Sequence, residues 1–160
     1  MKKPQVLVMI VVMIMIRKMI KPLLLALFAV GILTACSPSN NALVVSDAWV
    51  RPASTGENSA AYFIIENGTK SDDTLLSVSS NIASATEVHM SMADANGVMS
   101  MKMQEVVEIP ARNKVEFKTG GLHVMFVALN QDLKVGDSIS LVLNFKNSGN
   151  VTIKVLVQEQ

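Results

Sequence analysis

The 160-residue chain carries two histidines, eleven methionines, one cysteine and a formal charge of +1. With residues 1–35 set aside, 125 residues remain, holding nine Lys or Arg against thirteen Asp or Glu, a charge of −4 (9 − 13). That length suffices for one domain with its own core, the lone cysteine excludes an intramolecular disulfide, and no basic run suggests a nucleic-acid partner.

The chain opens on two apolar runs, Val6–Ile16 and Leu23–Leu33, separated by Arg17, Lys18 and Lys21. Each run is eleven residues long, too short to cross a bilayer alone. The second, with its basic flank, has the layout of a secretory signal. It closes on Leu33-Thr34-Ala35-Cys36, which resembles a bacterial lipobox, whose cysteine is lipidated and becomes the first mature residue. A signal peptide does not need the first run, so translation is expected to start at Met13, Met15 or Met19. The expected organisation is a signal peptide over 1–35, a lipidated Cys36 with a polar tether over 36–42, and one domain over 43–160. Resemblance to bacterial lipoproteins implies a membrane anchor in the cell envelope, facing the periplasm. Ser37 rather than Asp after the cysteine favours the outer membrane if the organism is Gram-negative.

Beyond the tether, short apolar-rich stretches alternate with turn signals. The expected strands are Leu43–Arg51, Ala60–Glu66, Thr74–Val78, Thr86–Met92, Val98–Val107, Lys114–Lys118, Leu122–Leu129, Ser138–Lys146 and Val151–Gln158. Asn67-Gly68, Asn96-Gly97, Gly120-Gly121, Gly136-Asp137 and Ser148-Gly149-Asn150 punctuate them. No stretch after residue 42 keeps a helical period. Many short strands at this spacing predict an all-β sandwich or barrel. Trp49, Phe63, Phe117, Phe126 and Phe145 are expected in its core.

His89 and His123 are the only histidines. Six methionines lie beyond residue 36, and five of them (Met90, Met92, Met99, Met101, Met103) fall within fourteen positions. Ten residues separate Met90 from Met101, and twenty-one separate Met101 from His123-Val124-Met125. Imidazole and thioether form a soft, neutral donor set. It suits monovalent copper better than magnesium or calcium, and thioether is not a usual zinc ligand. Paired thiols in an oxidising compartment tend to form a disulfide, a fate methionine avoids. The pattern reads as a copper-binding domain without a cysteine ligand. Taken singly, strand methionines are usually core filler, and Met90, Met92, Met99 and Met103 are secondary metal candidates.

Strand geometry sets what can meet. His123 and Met125 share a face, two rises of roughly 3.3 Å apart. Met99, Met101 and Met103 share another. Asn96-Gly97 predicts a two-residue hairpin turn, which pairs Met92 with Met101, Met90 with Met103, and His89 with Gln104. His89 then faces away from Met101. A bulge, a wider loop or departure of the strand near His89 would reunite them. Otherwise Met90 or Met92 is the better geometric candidate.

The spacing His-Met, ten residues, Met, twenty-one residues, His-any-Met resembles that of the periplasmic copper chaperone family usually called PCuAC. So do Ser46-Asp47-Ala48-Trp49-Val50-Arg51, Ala60-Ala61-Tyr62-Phe63-Ile64-Ile65-Glu66-Asn67, Glu108-Ile109-Pro110-Ala111, Gly120-Gly121-Leu122 and Leu133-Lys134-Val135-Gly136-Asp137. The resemblance covers residues 43–158. It implies a cupredoxin-like Greek-key β-sandwich that binds Cu(I) through His89, Met101, His123 and Met125. It also implies delivery of copper to a respiratory oxidase copper-site subunit, often alongside a Sco-type chaperone. The methionine-rich hairpin leaves Met99 or Met103 able to replace Met101. Some members carry a His/Met-rich tail; neither such a tail nor a second, divalent copper site is expected here.

Neutral ligands leave the site with the single charge of Cu(I), so a site near the surface is expected. Each imidazole must be neutral to bind, so affinity should fall as the medium becomes acidic enough to protonate it. No nucleophile, base and orienting group come together in the sequence, and no enzymatic activity is expected. A blue-copper electron carrier would need a Cys thiolate beside two His, and Cys36 is the only thiol. A structural envelope lipoprotein with a Met-rich core or oxidant sink is the alternative of another class.

Overall fold

A computed structural model describes residues 41–159 apart from residue 95. The signal segment, Cys36 and the tether up to residue 40 lie outside the described residues. Ten strands follow in order: β1 Leu43–Val50, β2 Ser59–Asn67, β3 Asp73–Ser79, β4 Ala83–Ala93, β5 Met99–Met103, β6 Val107–Ile109, β7 Lys114–Phe117, β8 Leu122–Leu129, β9 Ser138–Phe145 and β10 Gly149–Val157. Among the described residues there is no helix. Each expected strand is present, with one difference. The stretch Val98–Val107 is two strands, broken at Gln104–Val106, where the Gln104 N–H donates to Val88 O at 2.8 Å. β5 then pairs with β4, and β6 with β3. Residue patterning cannot register a change of partner in mid-stretch.

The ladders run in the order β5-β4-β8-β7-β2-β1-β10-β9-β3-β6, with β8 also paired to β2. The sheet curls until β3 lies against β4 without a ladder between them. The result is the all-β, cupredoxin-like Greek-key sandwich that the resemblance implied. β9 shows the driving pattern: Ile139, Leu141, Leu143 and Phe145 are buried, and the residues between them are not. One contiguous core results, containing Phe63, Phe117, Phe126 and Phe145, with Phe63 stacked on Phe117 at 4.4 Å between ring centroids.

Trp49 departs from expectation. It is buried, but in a separate cluster with Ala60 and Tyr62 on the outer face of the sheet. The cause is a bulge in β1 between Ser46 and Trp49, with Asp47 at φ 53°. Ser46 pairs with Ile64, whereas Trp49 pairs with Tyr62. One extra residue moves Trp49 to the outer face and sets Val50 opposite Ala61 in the core.

Asp73 ties the start of β3 to the turn between β9 and β10. Only 4% exposed, its carboxylate accepts bonds from Thr74 N–H (2.8 Å), Asn147 N–H (2.9 Å), Ser148 N–H (2.9 Å) and Ser148 Oγ (2.6 Å). Burial alone would raise its pKa. The bonds from Ser148, Asn147 and Thr74 together outweigh burial and hold it below the ordinary value of 3.8.

Candidate metal centre

His123 and Met125 alternate along β8 with Val124 and Phe126, which lie wholly in the core. Strand alternation therefore turns the histidine and the methionine outward. Register carries the same face across the neighbouring strands. His123 stands opposite His89, Met125 opposite Glu87 on β4, and Met125 opposite Ala60 on β2.

The β4–β5 hairpin resolves the conflict seen in the sequence. Its turn is not the two-residue Asn96-Gly97 type but a wider loop closed by Ala93 opposite Met99. Asp94 organises the loop: its Oδ1 accepts from Asn96 N–H (2.8 Å) and Val98 N–H (2.9 Å). Its own N–H donates to Val98 O at 3.0 Å, and Gly97, at φ 79°, donates to Asp94 O at 3.0 Å. The register shifts by one residue from the expected one. His89 now stands opposite Met103, Ser91 opposite Met101, and Ala93 opposite Met99. The bonds Gln104 N–H to Val88 O and Asp94 N–H to Val98 O flank these pairs. They make His89/Met103, Ser91/Met101 and Ala93/Met99 the close, non-hydrogen-bonded kind.

His89, Met101, His123 and Met125 thus share one face, joined by Met99 and Met103. Met90 and Met92 do not. They stand opposite Lys102 and Ser100, on the same face of β4 as Val88. The register that unites His89 with Met101 sets these two secondary candidates on the opposite face. The methionines of β5 are not core filler either: Met99, Met101 and Met103 are 56%, 63% and 55% exposed.

Four of these six His and Met side chains border a cleft of about 390 Å³. Met99, Met101, His123 and Met125 line it, over a floor that includes Ser91, Ala60 and Tyr62. His89 and Met103 lie one register step beyond. The imidazole rings of His89 and His123 are 5.9 Å apart between centroids. His123 is 6% exposed, and its Nδ1 lies 3.0 Å from Gly121 O. A carbonyl only accepts, so in the neutral ring Nδ1 carries the proton and Nε2 keeps its lone pair. His89 places Nε2 2.8 Å from Glu87 Oε2, and its buried Nδ1 has no hydrogen-bond partner. Behind His123, the Tyr62 ring lies at 6.4 Å and meets Trp49 in turn at 4.5 Å, the two rings tilted by 30°. Among the described residues, no three His, Cys, Asp or Glu side chains gather as a metal cage. What the face offers is two imidazoles among thioethers.

Sequence reasoning missed Glu87, Ser91, Tyr62 and Trp49. Glu87 and Ser91 were legible in principle, because they alternate with His89 along one strand. Trp49 was not, because its face depends on the bulge.

The family described as "Putative lipoprotein LpqE-like" matches residues 43–157, the run from β1 to β10. The chain belongs to this LpqE-like family. A relative, "Putative lipoprotein Lxx21020" of Leifsonia xyli subsp. xyli, is 26% identical over 115 residues, which cover 72% of this chain and 69% of the relative. Among solved structures, the copper-bound PCuAC domain from PmoF2 superposes with a TM-score of 0.62 at 24% identity. That match covers 74% of this chain and 93% of that one. The Cu(I) form of DR1885 from Deinococcus radiodurans gives 0.57 at 24% identity, covering 79% and 86%. The LpqE-like chain therefore has the fold of PCuAC domains.

Proposed function

We propose that this LpqE-like chain is an envelope copper chaperone. It binds Cu(I) through His89, Met101, His123 and Met125 and delivers it for assembly of a respiratory oxidase copper site. One observation carries the reading: the ladders bring both histidines and four methionines to a single outer face, with an imidazole lone pair left free on each ring. Neutral nitrogen and thioether donors match a soft, monovalent ion. The copper named with two solved domains of this fold supports the same cargo. The lipoprotein description of the family and of its relative supports an anchor through Cys36, on the periplasmic side of an envelope membrane.

The arrangement suits capture and release rather than catalysis. His123 is buried on a strand with neighbours on both sides, so it is a fixed donor. Met101 is mostly exposed on an edge strand, so its thioether can be exchanged for an acceptor's ligand without unfolding the core. The acceptor is an oxidase copper-site subunit or a Sco-type carrier.

Anaerobic Cu(I) titration with X-ray absorption at the copper edge, on wild type and Met101→Ala, tests the reading. One Cu(I) per chain with mixed N and S donors, weakened by the substitution, is expected. Binding unaffected by Met101→Ala would transfer the role to Met99 or Met103. The exposed methionine row also favours a second reading, an oxidant sink on an envelope lipoprotein. Absence of stoichiometric binding, with ready sulfoxide formation on β5, would select it.

A further inference from the structure

We infer that Glu87 is the positioning residue of the centre. It fixes His89 in the tautomer that presents Nδ1, so the two histidines offer unlike nitrogens to one metal. The inference rests on the copper reading above.

Three observations meet here. Glu87 and His89 are two apart on β4 and share the donor face. The Glu87 Oε2 to His89 Nε2 distance is 2.8 Å. The other ring nitrogen, Nδ1, is buried and has no partner. A carboxylate accepts, so in the neutral ring the proton sits on Nε2 and the lone pair on Nδ1. A buried nitrogen without a partner is costly unless something occupies it. A hydrogen-bond donor or a metal ion would satisfy the lone pair, and the thioethers and second imidazole on the same face favour the metal. On His123 the assignment is reversed, because Gly121 O holds Nδ1–H and leaves Nε2.

The pairing has two consequences. Nδ1 lies closer to its own backbone than Nε2 does, so an ion held by it would be bound nearer to β4 than one held by Nε2. The carboxylate also brings a negative charge next to a centre whose four ligands are neutral. A carboxylate behind a metal-bound imidazole raises the ring's donor strength and fixes its orientation.

The chain has only two histidines, which makes the test direct. A long-range ¹H–¹⁵N spectrum of the copper-free, full-length chain in detergent, above about pH 8 where an ordinary imidazole is neutral, reads four ring nitrogens. One ring protonated at Nε2 and the other at Nδ1 is expected. Glu87→Ala should mix the tautomers of His89 and weaken Cu(I) binding by about 10–100-fold. Glu87→Gln keeps an acceptor oxygen and should preserve the tautomer. Two identical tautomers in the wild type would overturn the inference, as would Glu87→Ala with an unchanged spectrum and unchanged affinity. If the wild type shows the two tautomers but binds no Cu(I), the chaperone reading fails while Glu87's hold on His89 stands.

Discussion

Ser91 on β4 faces Met101 on β5 as a close, non-hydrogen-bonded pair, while its own N–H donates to Gly121 O at 3.1 Å on the β8 side. A small side chain and a glycine therefore lie between the exposed thioether and His123. Met101 and His123 line the same cleft, with Ser91 on its floor.

Filling that cleft should separate the donors. Ser91→Leu is expected to raise the Cu(I) dissociation constant by roughly tenfold, about 1.4 kcal/mol, in competition with a Cu(I) chelator. Thermal unfolding of the variant separates this loss of affinity from any loss of fold, since Ser91 is itself buried. Unchanged affinity would mean that Met101 does not approach His123 over Ser91.

A methionine scan should follow the register. Met101→Ala and Met125→Ala should each weaken Cu(I) binding about tenfold or more, as loss of a thioether from a four-donor set implies. Met90→Ala and Met92→Ala should leave it within about twofold, since both leave β4 on the other face. Equal losses at Met90 and Met101 would contradict the one-residue shift imposed by the Asp94 loop.

Cargo should stabilise the fold. A ligand bound only by the native state, at a hundred times its dissociation constant, adds about 2.7 kcal/mol. Scanning calorimetry should show the melting temperature rising by several degrees on Cu(I) loading and returning when a chelator removes the ion. The shift should disappear in a His89→Ala, His123→Ala double variant.

Asp73 should make part of the stability acid-sensitive. Its folded pKa lies below the ordinary 3.8. The contribution is therefore fully present above the unfolded value and is lost as pH falls through the folded one. Ser148→Ala removes the 2.6 Å bond from Oγ to this buried carboxylate and should cost about 1.5–3 kcal/mol at neutral pH. Urea unfolding at pH 7 and below pH 3 should show the gap between variant and wild type narrowing in acid. A constant gap would assign the loss to packing.

Most of the fold was legible, because alternation of apolar and polar residues over short runs directly encodes half-buried strands. Ser138–Phe145 is the plain case. The donor residues were legible from their chemistry. Their meeting was not, because faces depend on single-residue steps. Asn96-Gly97 carried a turn signal strong enough to place His89 and Met101 on opposite sides. Asp94, which accepts from two backbone N–H groups of the loop, overrode it. Asp side chains commonly bond N–H groups two residues on, so Asp94 was the available clue. The bulge at Asp47 had a similar effect on Trp49, turning an expected core residue into the support behind Tyr62. The break at Gln104–Val106 left no patterning signal at all.

That break has one further consequence. By sending the chain from β5 at one edge of the curled sheet to β6 at the other, it leaves β5 with a single ladder, to β4. β4 is flanked by β5 and β8, and β8 by β4, β7 and β2. Strands held on one side open locally at lower free energy than those held on both. The imidazoles thus sit on strands paired on both sides, and Met101 on a strand paired on one side only. Opening of that one edge strand would uncover an ion held on this face while the histidines stayed in place, so giving up such an ion would not require the core to unfold.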